Sequence, residues 1–400
     1  MALTTALRRT GRTPRSVEAH CRICPVASSV VAPQTIRILD LFAGAGGLSA
    51  GFAKADPRFT SVAAVEMDPF AAASYALNHP EADVFALPIE RWLDEHEISG
   101  GVDVIVGGPP CQGFSTLGKQ DEQDERNLLW RQYAQTIVRY RPKYFVVENV
   151  AAFAKSPQFE QFLQATEPGG SLSDYRFEHT VLNSADFGAP QARRRAVVIG
   201  HRRDLAFPGF PAPTHHATGA DGLEPHRTVR EVLGSVPESP DRDNLLEARR
   251  TAVAGRIVPG PFLPRDMHWG RDYAEISLKR FAAIPPGGNR HSLPEELLAP
   301  CWRKHRSGTA DVMGRLHWDK PSVTVRTEFF KPEKGRYLHP EADRAITHYE
   351  AAILQGFPAN HQFVGSRVAI ARQIGNAVPI PLGAAIGRVI AAQFPMRAEG

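Results

Sequence analysis

Along the first half of the chain, short unbroken apolar runs alternate with stretches whose apolar residues recur at helical spacing. Ile36-Arg-Ile-Leu-Asp-Leu-Phe42 predicts a buried strand, Ala43-Gly-Ala-Gly-Gly47 a tight turn, and residues 48–55 a helix. Further strands are predicted at 61–65, 82–87, 102–106 and 144–147, with helices over 69–78 and 127–140. Strand and helix in alternation predict an α/β fold, a doubly wound and mostly parallel Rossmann-like sheet. After Ala196-Val-Val-Ile-Gly200 the pattern dissolves. Residues 205–310 are rich in Pro, His, Gly and Arg and show no strand–helix alternation, and Phe207-Pro-Gly-Phe-Pro-Ala-Pro213 reads as a linker or an irregular start. Order returns near Arg315, and 381–393 reads as a helix. The expected plan is an arm (1–34), a large α/β domain (35–204), a smaller irregular domain (205–330) and a C-terminal return to the first domain (331–400).

Composition narrows this picture only slightly. The chain is 42% hydrophobic and 22% charged, as an ordinary globular protein is, and no apolar run approaches a bilayer span. A formal charge of +4 admits a nucleic-acid partner without requiring one. Arg8, Arg9, Arg12, Arg15 and Arg22 against the single acid Glu18 make the first 34 residues a basic, disordered arm; an organellar transit peptide would share the bias. Cys21, Cys24, Cys111 and Cys301 are too scattered for a disulfide framework, so a cytoplasmic location is expected. Cys21-Arg-Ile-Cys24 has half the spacing of a zinc site, but only His20 adds a nearby ligand, and no metal is expected.

The reactive residues collect where the predicted strands end, which is where open α/β sheets bind ligands. Gly44-Ala-Gly46-Gly47 follows the first strand and Glu66 the second, the acid standing twenty residues beyond Gly46, a distance suited to ribose hydroxyls. Plain strand-to-helix packing explains such a turn equally well. Ser49 replaces the third glycine of a dinucleotide fingerprint, which disfavours a nicotinamide oxidoreductase and leaves room for a nucleoside without a pyrophosphate. Gly107-Gly-Pro-Pro-Cys-Gln-Gly-Phe-Ser115 is more specific: two prolines fix the chain before Cys111 and glycines keep it accessible, as a nucleophile requires, although a lone cysteine is often a small buried hydrophobe. The polar stretch 116–126 suits a mobile loop. Glu148 ends an apolar strand, where burial favours a protonated acid; an ion pair or a helix N-terminal acid is the alternative. In Gln191-Ala-Arg193-Arg194-Arg195, alternation aims Arg193 and Arg195 at one face, suited to a phosphate or a polarised carbonyl, unless the run is simply solvated.

In this order the motifs resemble the DNA (cytosine-5) methyltransferase family over about residues 36 to 390. The resemblance rests on Asp40-Leu-Phe-Ala-Gly-Ala-Gly-Gly47, Gly108-Pro-Pro-Cys-Gln-Gly-Phe-Ser115, Asp124-Glu-Arg126-Asn-Leu-Leu129, Glu148-Asn149-Val150 and Gln191-Ala-Arg-Arg-Arg195. Arg315-Leu-His-Trp-Asp-Lys-Pro-Ser-Val-Thr324 and Gln373-Ile-Gly-Asn-Ala-Val-Pro379 complete it. It implies a methyl transfer from S-adenosylmethionine to carbon 5 of a flipped cytosine in double-stranded DNA, through a covalent adduct of Cys111 with carbon 6. Glu148 would protonate ring N3, while Arg193 and Arg195 would hold the ring carbonyl and the sugar-phosphate backbone. The cofactor would contact Phe42, Ala43, Gly44, Glu66, Met67, Pro110, Leu129, Asn376 and Val378.

One departure concerns the adenine site: the family's usual acid before Ile89 is replaced by Leu87-Pro88, so Glu90 or a backbone carbonyl must serve instead. Residues 205–330 would be the target recognition domain, with Arg265, His268, Arg271, Arg290, Arg303, Lys304 and Arg306 as candidate base-reading or polar contacts. A monomeric bacterial modification enzyme, associated with the nucleoid and paired with a restriction endonuclease, is the implied setting. The alternatives are an RNA cytosine-5 methyltransferase on the same fold, which Gly113-Phe114-Ser115 disfavours, and a catalytically inactive DNA-binding protein, which intact Cys111, Glu148, Arg193 and Arg195 disfavour.

Overall fold

A computed structural model describes residues 35–110, 129–240, 249–253, 255–304 and 310–394. The arm with Cys21 and Cys24, the segment 111–128 with Cys111, and Arg306 lie outside the described residues. Regular structure runs β1 (Ile36–Leu41), α1 (Gly47–Ala55), β2 (Phe59–Val65), α2 (Pro69–Asn78), β3 (Asp83–Phe85), α3 (Ile89–Glu95), β4 (Val104–Gly107), α4 (Leu129–Tyr140), β5 (Tyr144–Val150), α5 (Pro157–Ala165), β6 (Tyr175–Asn183) and β7 (Arg194–Arg202). These strands form a seven-stranded sheet in the order β3-β2-β1-β4-β5-β7-β6. Strands β1 to β5 pair in parallel, and β7 runs antiparallel between β5 and β6. The sheet is therefore the expected mostly parallel one. Its strand order reverses beside β1, which opens a crevice between the ends of β1 and β4.

Local chemistry explains the boundaries. The strand β1 is buried almost throughout, as a central parallel strand covered on both faces must be. At α2, Asp68 accepts hydrogen bonds from the Phe70 and Ala71 amides and Pro69 occupies the first turn, so the helix spans the predicted 69–78. One face of the sheet is covered by Leu48 and Phe52 of α1 together with Leu382, Ile386 and Ile390 of the last helix. The other is covered by Trp92, Tyr133, Ile137, Phe159 and Phe162 from α3, α4 and α5.

The second half is built differently. Its elements are short: β8 (His215–His216), β9 (Glu224–Pro225), α6 (Val229–Leu233), β10 (Arg250–Val253), β11 (Arg256–Pro259), α7 (Glu275–Ala282) and α8 (Pro300–Lys304). Three longer helices follow, α9 (His348–Gln355), α10 (Arg367–Asn376) and α11 (Ile380–Ala391). Apolar residues from 229–329, including Phe262, Met267 and Trp269, share one core with Ile346, Leu354, Phe363 and Ile370. Residues Gln34–Gly400 form one compact unit. Where no sheet supplies hydrogen bonds, buried arginines do. Arg315 donates to the carbonyls of Ile284, Phe281, His339, Glu341 and Ala342, tying 281–284 to 339–342. Arg344 forms a two-pronged pair with the fully buried Glu350, both contacts at 2.8 Å.

Two of the contacts that fasten the C-terminal return lie on α1 and α2. Helix α11 lies so close on α1 that a Cβ on Gly51 would sit 2.7 Å from the Gly383 Cα. Ser74 of α2 donates to Gln373 of α10 at 2.7 Å. No single helix among the described residues is long and apolar enough to cross a membrane.

Candidate active site

The first wall of the site is mainly backbone. At the end of β1 the chain turns through three left-handed residues, Phe42 (φ 55), Gly44 (φ 57) and Gly46 (φ 84). Glycine suits Gly46 for a second reason, since a Cβ there would meet His79 at 3.0 Å and Tyr75 at 3.1 Å. Phe42 holds such a conformation with a side chain, a strain that well-braced ligand sites tolerate. Helix α1 begins at this turn with no side-chain cap, so its amides stay open toward a ligand. Glu66 accepts the Gly44 amide at 2.8 Å and the Asp68 amide at 2.7 Å, which fixes both carboxyl oxygens. Burial raises its pKa, against the pull of those amides.

Beneath this wall Ser49 donates to Asp40 at 2.6 Å, and Tyr75 donates to Ser49 at 2.9 Å. The residue that broke the glycine fingerprint is thus the partner of a buried acid. Burial pushes Asp40 up to about 7, with the Ser49 hydroxyl opposing and the nearby Glu66 charge adding to the rise.

The second wall is made of charged side chains. Glu148, buried at the end of β5, faces Arg195 of β7, whose Nε lies 2.7 Å from the Glu148 Oε1. The contact is an ion pair out of line for a hydrogen bond, so Oε1 keeps an unused acceptor position. The fold thus puts a cation beside the Glu148 carboxyl and leaves that carboxyl on the cavity. Arg193 and Arg195 both line the cavity while Arg194 is exposed, as strand alternation requires. Arg193, however, is deeply buried and gives its Nη1 to the carbonyls of Val325 (3.0 Å) and Gly375 (2.9 Å). Burial lowers its pKa to about 9, and neighbouring Arg195 adds to the effect. Asn149 donates to the Pro109 carbonyl at 2.8 Å, holding the end of β4 where the chain leads to Cys111.

The two walls meet through the return. Gln191 accepts from the Val325 amide (2.8 Å) and donates to Gln355 (2.9 Å), which in turn donates to the carbonyl of Ile374. Gly375 packs directly on the Arg326–Thr327 peptide, where any Cβ would overlap the backbone. Asn376 and Val378 are carried into the site by this brace.

Together these elements enclose an open cavity of about 950 Å³. Phe42, Ala43, Gly44, Glu66, Met67, Pro110, Leu129, Asn376 and Val378 all line it, as do Glu148, Arg193 and Arg195. Cys111 follows Pro110 directly but lies outside the described residues. Met67 is 69% exposed, an apolar side chain left free at the rim, and Pro88 and Glu90 line the same side. Sequence reasoning did not place Thr324, Arg326, Thr327 and Arg372 here; they come from segments that reach the cavity only through the return. It also misjudged two candidate DNA contacts. His268 is buried between Thr347 Oγ1 (3.0 Å) and the Pro237 carbonyl (2.7 Å), and Arg290 is buried too, so neither is displayed to a base. In a region poor in apolar residues, polar side chains were drawn inward as ties. Arg265, Arg271, Arg303 and Lys304 are exposed.

A mostly parallel sheet with a glycine turn after β1, an acid after β2 and a reversal of strand order beside the cavity is the arrangement of a ligand-binding α/β fold. Residues 36–392 match the model of the C-5 cytosine-specific DNA methylase family, and the chain belongs to that family. It is 33% identical over 363 residues to the Type II methyltransferase M1.HphI of Haemophilus parahaemolyticus, covering 89% of this chain and 87% of that one. It is 33% identical over 381 residues to the Type II methyltransferase M.XorII of Xanthomonas oryzae pv. oryzae, covering 87% and 83%. A putative prophage-encoded DNA modification methyltransferase (E. coli) has the same fold, with a TM-score of 0.64 at 22% identity over 90% of this chain and 99% of that one. The enzyme transfers a methyl group from a methyl donor to carbon 5 of cytosine in DNA.

Proposed function

We propose that the cavity binds S-adenosylmethionine along the β1–β2 wall and a flipped-out cytosine along the β5–β7 wall, with Cys111, the residue after Pro110, as the attacking nucleophile. One observation carries this reading: nine expected cofactor contacts and three expected catalytic residues, scattered over more than half the chain, line a single cavity. The first wall fits a nucleoside. Glu66 is fixed by two amides with lone pairs left for ribose hydroxyls, the α1 amides are uncapped, and Met67 offers an exposed apolar surface. Glu90, or a backbone carbonyl near Pro88, takes the place of the absent acid at the adenine edge.

When bound, the cofactor supplies an electrophilic methyl group. The chain supplies the rest. The Cys111 thiolate adds to carbon 6 and makes carbon 5 nucleophilic. Glu148 gives a proton to N3 as negative charge develops in the ring, and Arg195 orients that carboxyl and reaches the ring carbonyl. Arg193 braces the wall from behind. After methyl transfer, loss of the carbon 5 proton and expulsion of Cys111 restore the aromatic ring. Stacking blocks perpendicular thiolate attack, so the base must leave the duplex.

We assign residues 205–330 to target recognition, and the setting to that of a monomeric modification enzyme acting on cytoplasmic DNA, paired with an endonuclease. Bisulfite sequencing of DNA from cells expressing the protein identifies its site. Exchange of 205–330 with a relative's block moves that site, and an unmoved site removes the assignment. The mechanism is tested with a duplex carrying 5-fluorocytosine, whose fluorine cannot leave as the proton does. A protein–DNA band that survives denaturation and depends on S-adenosylmethionine is expected, and Cys111→Ser abolishes it. A band of normal intensity from Cys111→Ser ends the nucleophile assignment.

A further inference from the structure

Four arginines line the cavity, and three of them are engaged. Arg193 is held by two carbonyls, Arg195 by Glu148, and Arg372 lies 3.9 Å from the Asp68 carboxylate. Arg326 is different. Its side chain is exposed and makes no hydrogen bond or ion pair among the described residues.

Its backbone, in contrast, is held on every side. The preceding residue, Val325, is buried and gives its amide to Gln191. The Arg326 amide donates to the Tyr337 hydroxyl at 3.2 Å, and that hydroxyl donates to the Thr324 carbonyl at 3.0 Å. Gly375 packs on the following peptide. Arg326 is thus a cation with no side-chain partner among the described residues, on a fixed stem at the mouth of the site. Its exposure separates two anions that could meet it there. A small ligand enclosed by the cavity would have to draw the side chain inward. A polyanion passing over the mouth meets it where it stands, and the planar fork of a guanidinium matches phosphate oxygens.

We propose that Arg326 is a substrate-positioning residue that holds a backbone phosphate of the DNA strand next to the target cytosine. The proposal rests on the assignment of the β5–β7 wall to the base. Each neutralised phosphate releases condensed counterions, so the contact leaves a signature in the salt dependence of binding that a merely structural role does not.

The test uses the full chain and a duplex containing the site found by bisulfite sequencing, with S-adenosylhomocysteine present so that no transfer occurs. Binding is measured across a salt series for the wild type, Arg326→Gln and Arg326→Lys. For Arg326→Gln the slope of log affinity against log salt becomes shallower by about 0.9, and affinity falls roughly tenfold at moderate salt. Arg326→Lys keeps a slope near that of the wild type. Lys54→Gln, exposed in the last turn of α1 and not among the residues that line the cavity, leaves the slope unchanged.

A second measurement alters the DNA instead of the protein. In the wild type, replacing the phosphate beside the target with a neutral methylphosphonate reproduces the loss, and in Arg326→Gln it adds nothing further. An unchanged slope in Arg326→Gln overturns the proposal, as does a loss confined to S-adenosylhomocysteine affinity, which would give Arg326 to the cofactor carboxylate. Fluorocytosine trapping by the wild type separates the two levels: if trapping occurs and the slope does not change, only this inference falls; if trapping fails, the parent reading falls.

Discussion

The two walls of the cavity do comparable work with different materials. The β1–β2 wall presents main-chain amides and one carboxyl, Glu66, pinned by two of those amides. The β5–β7 wall presents charge on side chains, Glu148 against Arg195, with Arg193 fixed by carbonyls from more than a hundred residues away. A wall of main-chain donors recognises a ligand by shape and hydroxyl geometry and changes little during the reaction. A wall of ionisable side chains can stabilise charge that appears only as the reaction proceeds. On the proposed reading, binding falls to one side and chemistry to the other, and substitutions on each side separate them.

The largest expected effect is on the charged wall. Glu148→Gln keeps size and polarity but cannot donate the N3 proton, so turnover falls by roughly 10²- to 10⁴-fold while cofactor affinity is retained. Single-turnover methylation and equilibrium cofactor binding, measured on the same sample, check both halves. Parallel losses in the two quantities would erase the distinction between the walls. On the other side, Glu66→Gln is expected to weaken S-adenosylmethionine binding roughly 10- to 100-fold, because a charge-assisted acceptor of ribose hydroxyls is lost. Turnover at saturating cofactor should stay near that of the wild type. A saturating rate as low as that of Glu148→Gln would show that Glu66 acts in the chemical step.

The smallest effect lies beneath the first wall and depends on pH. Asp40 titrates near 7 in the fold against an ordinary value of 3.8. Between those values the native state keeps a proton that the unfolded chain has released. Stability from this group therefore declines as pH rises through the window and is level above it. Asp40→Asn cannot titrate. Its unfolding temperature relative to the wild type should rise by a few degrees between about pH 5 and about pH 8. Thermal unfolding followed by circular dichroism at both values measures this, and a constant offset would mean that Asp40 stays charged.

Sequence patterning recovered the sheet because its strands are buried on both faces and its helices are amphipathic, so local periodicity carries the information. It did so most closely at α2, where Asp68-Pro69 marks the start. It passed over β6, an edge strand whose residues are half exposed and lack a clean alternation. It also passed over α9, although Thr347-His-Tyr-Glu350 spells the capping box that the fold uses. The candidate contacts His268 and Arg290 failed for a related reason, since cation content says nothing about which cations a poorly apolar region buries as ties.

By itself, then, the sequence determined the class of fold, and it named residues that the fold brings to line one cavity. Short strings with little conformational choice, such as Asp40 to Gly47 and Gly108 to Pro110, carry their geometry with them. Only the tertiary structure decided that Glu148 is paired with Arg195, that Arg193 faces Val325 and Gly375, that Ser49 serves Asp40, and that Arg326 stands exposed at the mouth. Those pairings join segments far apart in the chain. Local propensity does not encode which distant carbonyl or carboxylate a side chain will meet, because that is settled when α11 docks on α1 and carries the closing segment back across the site.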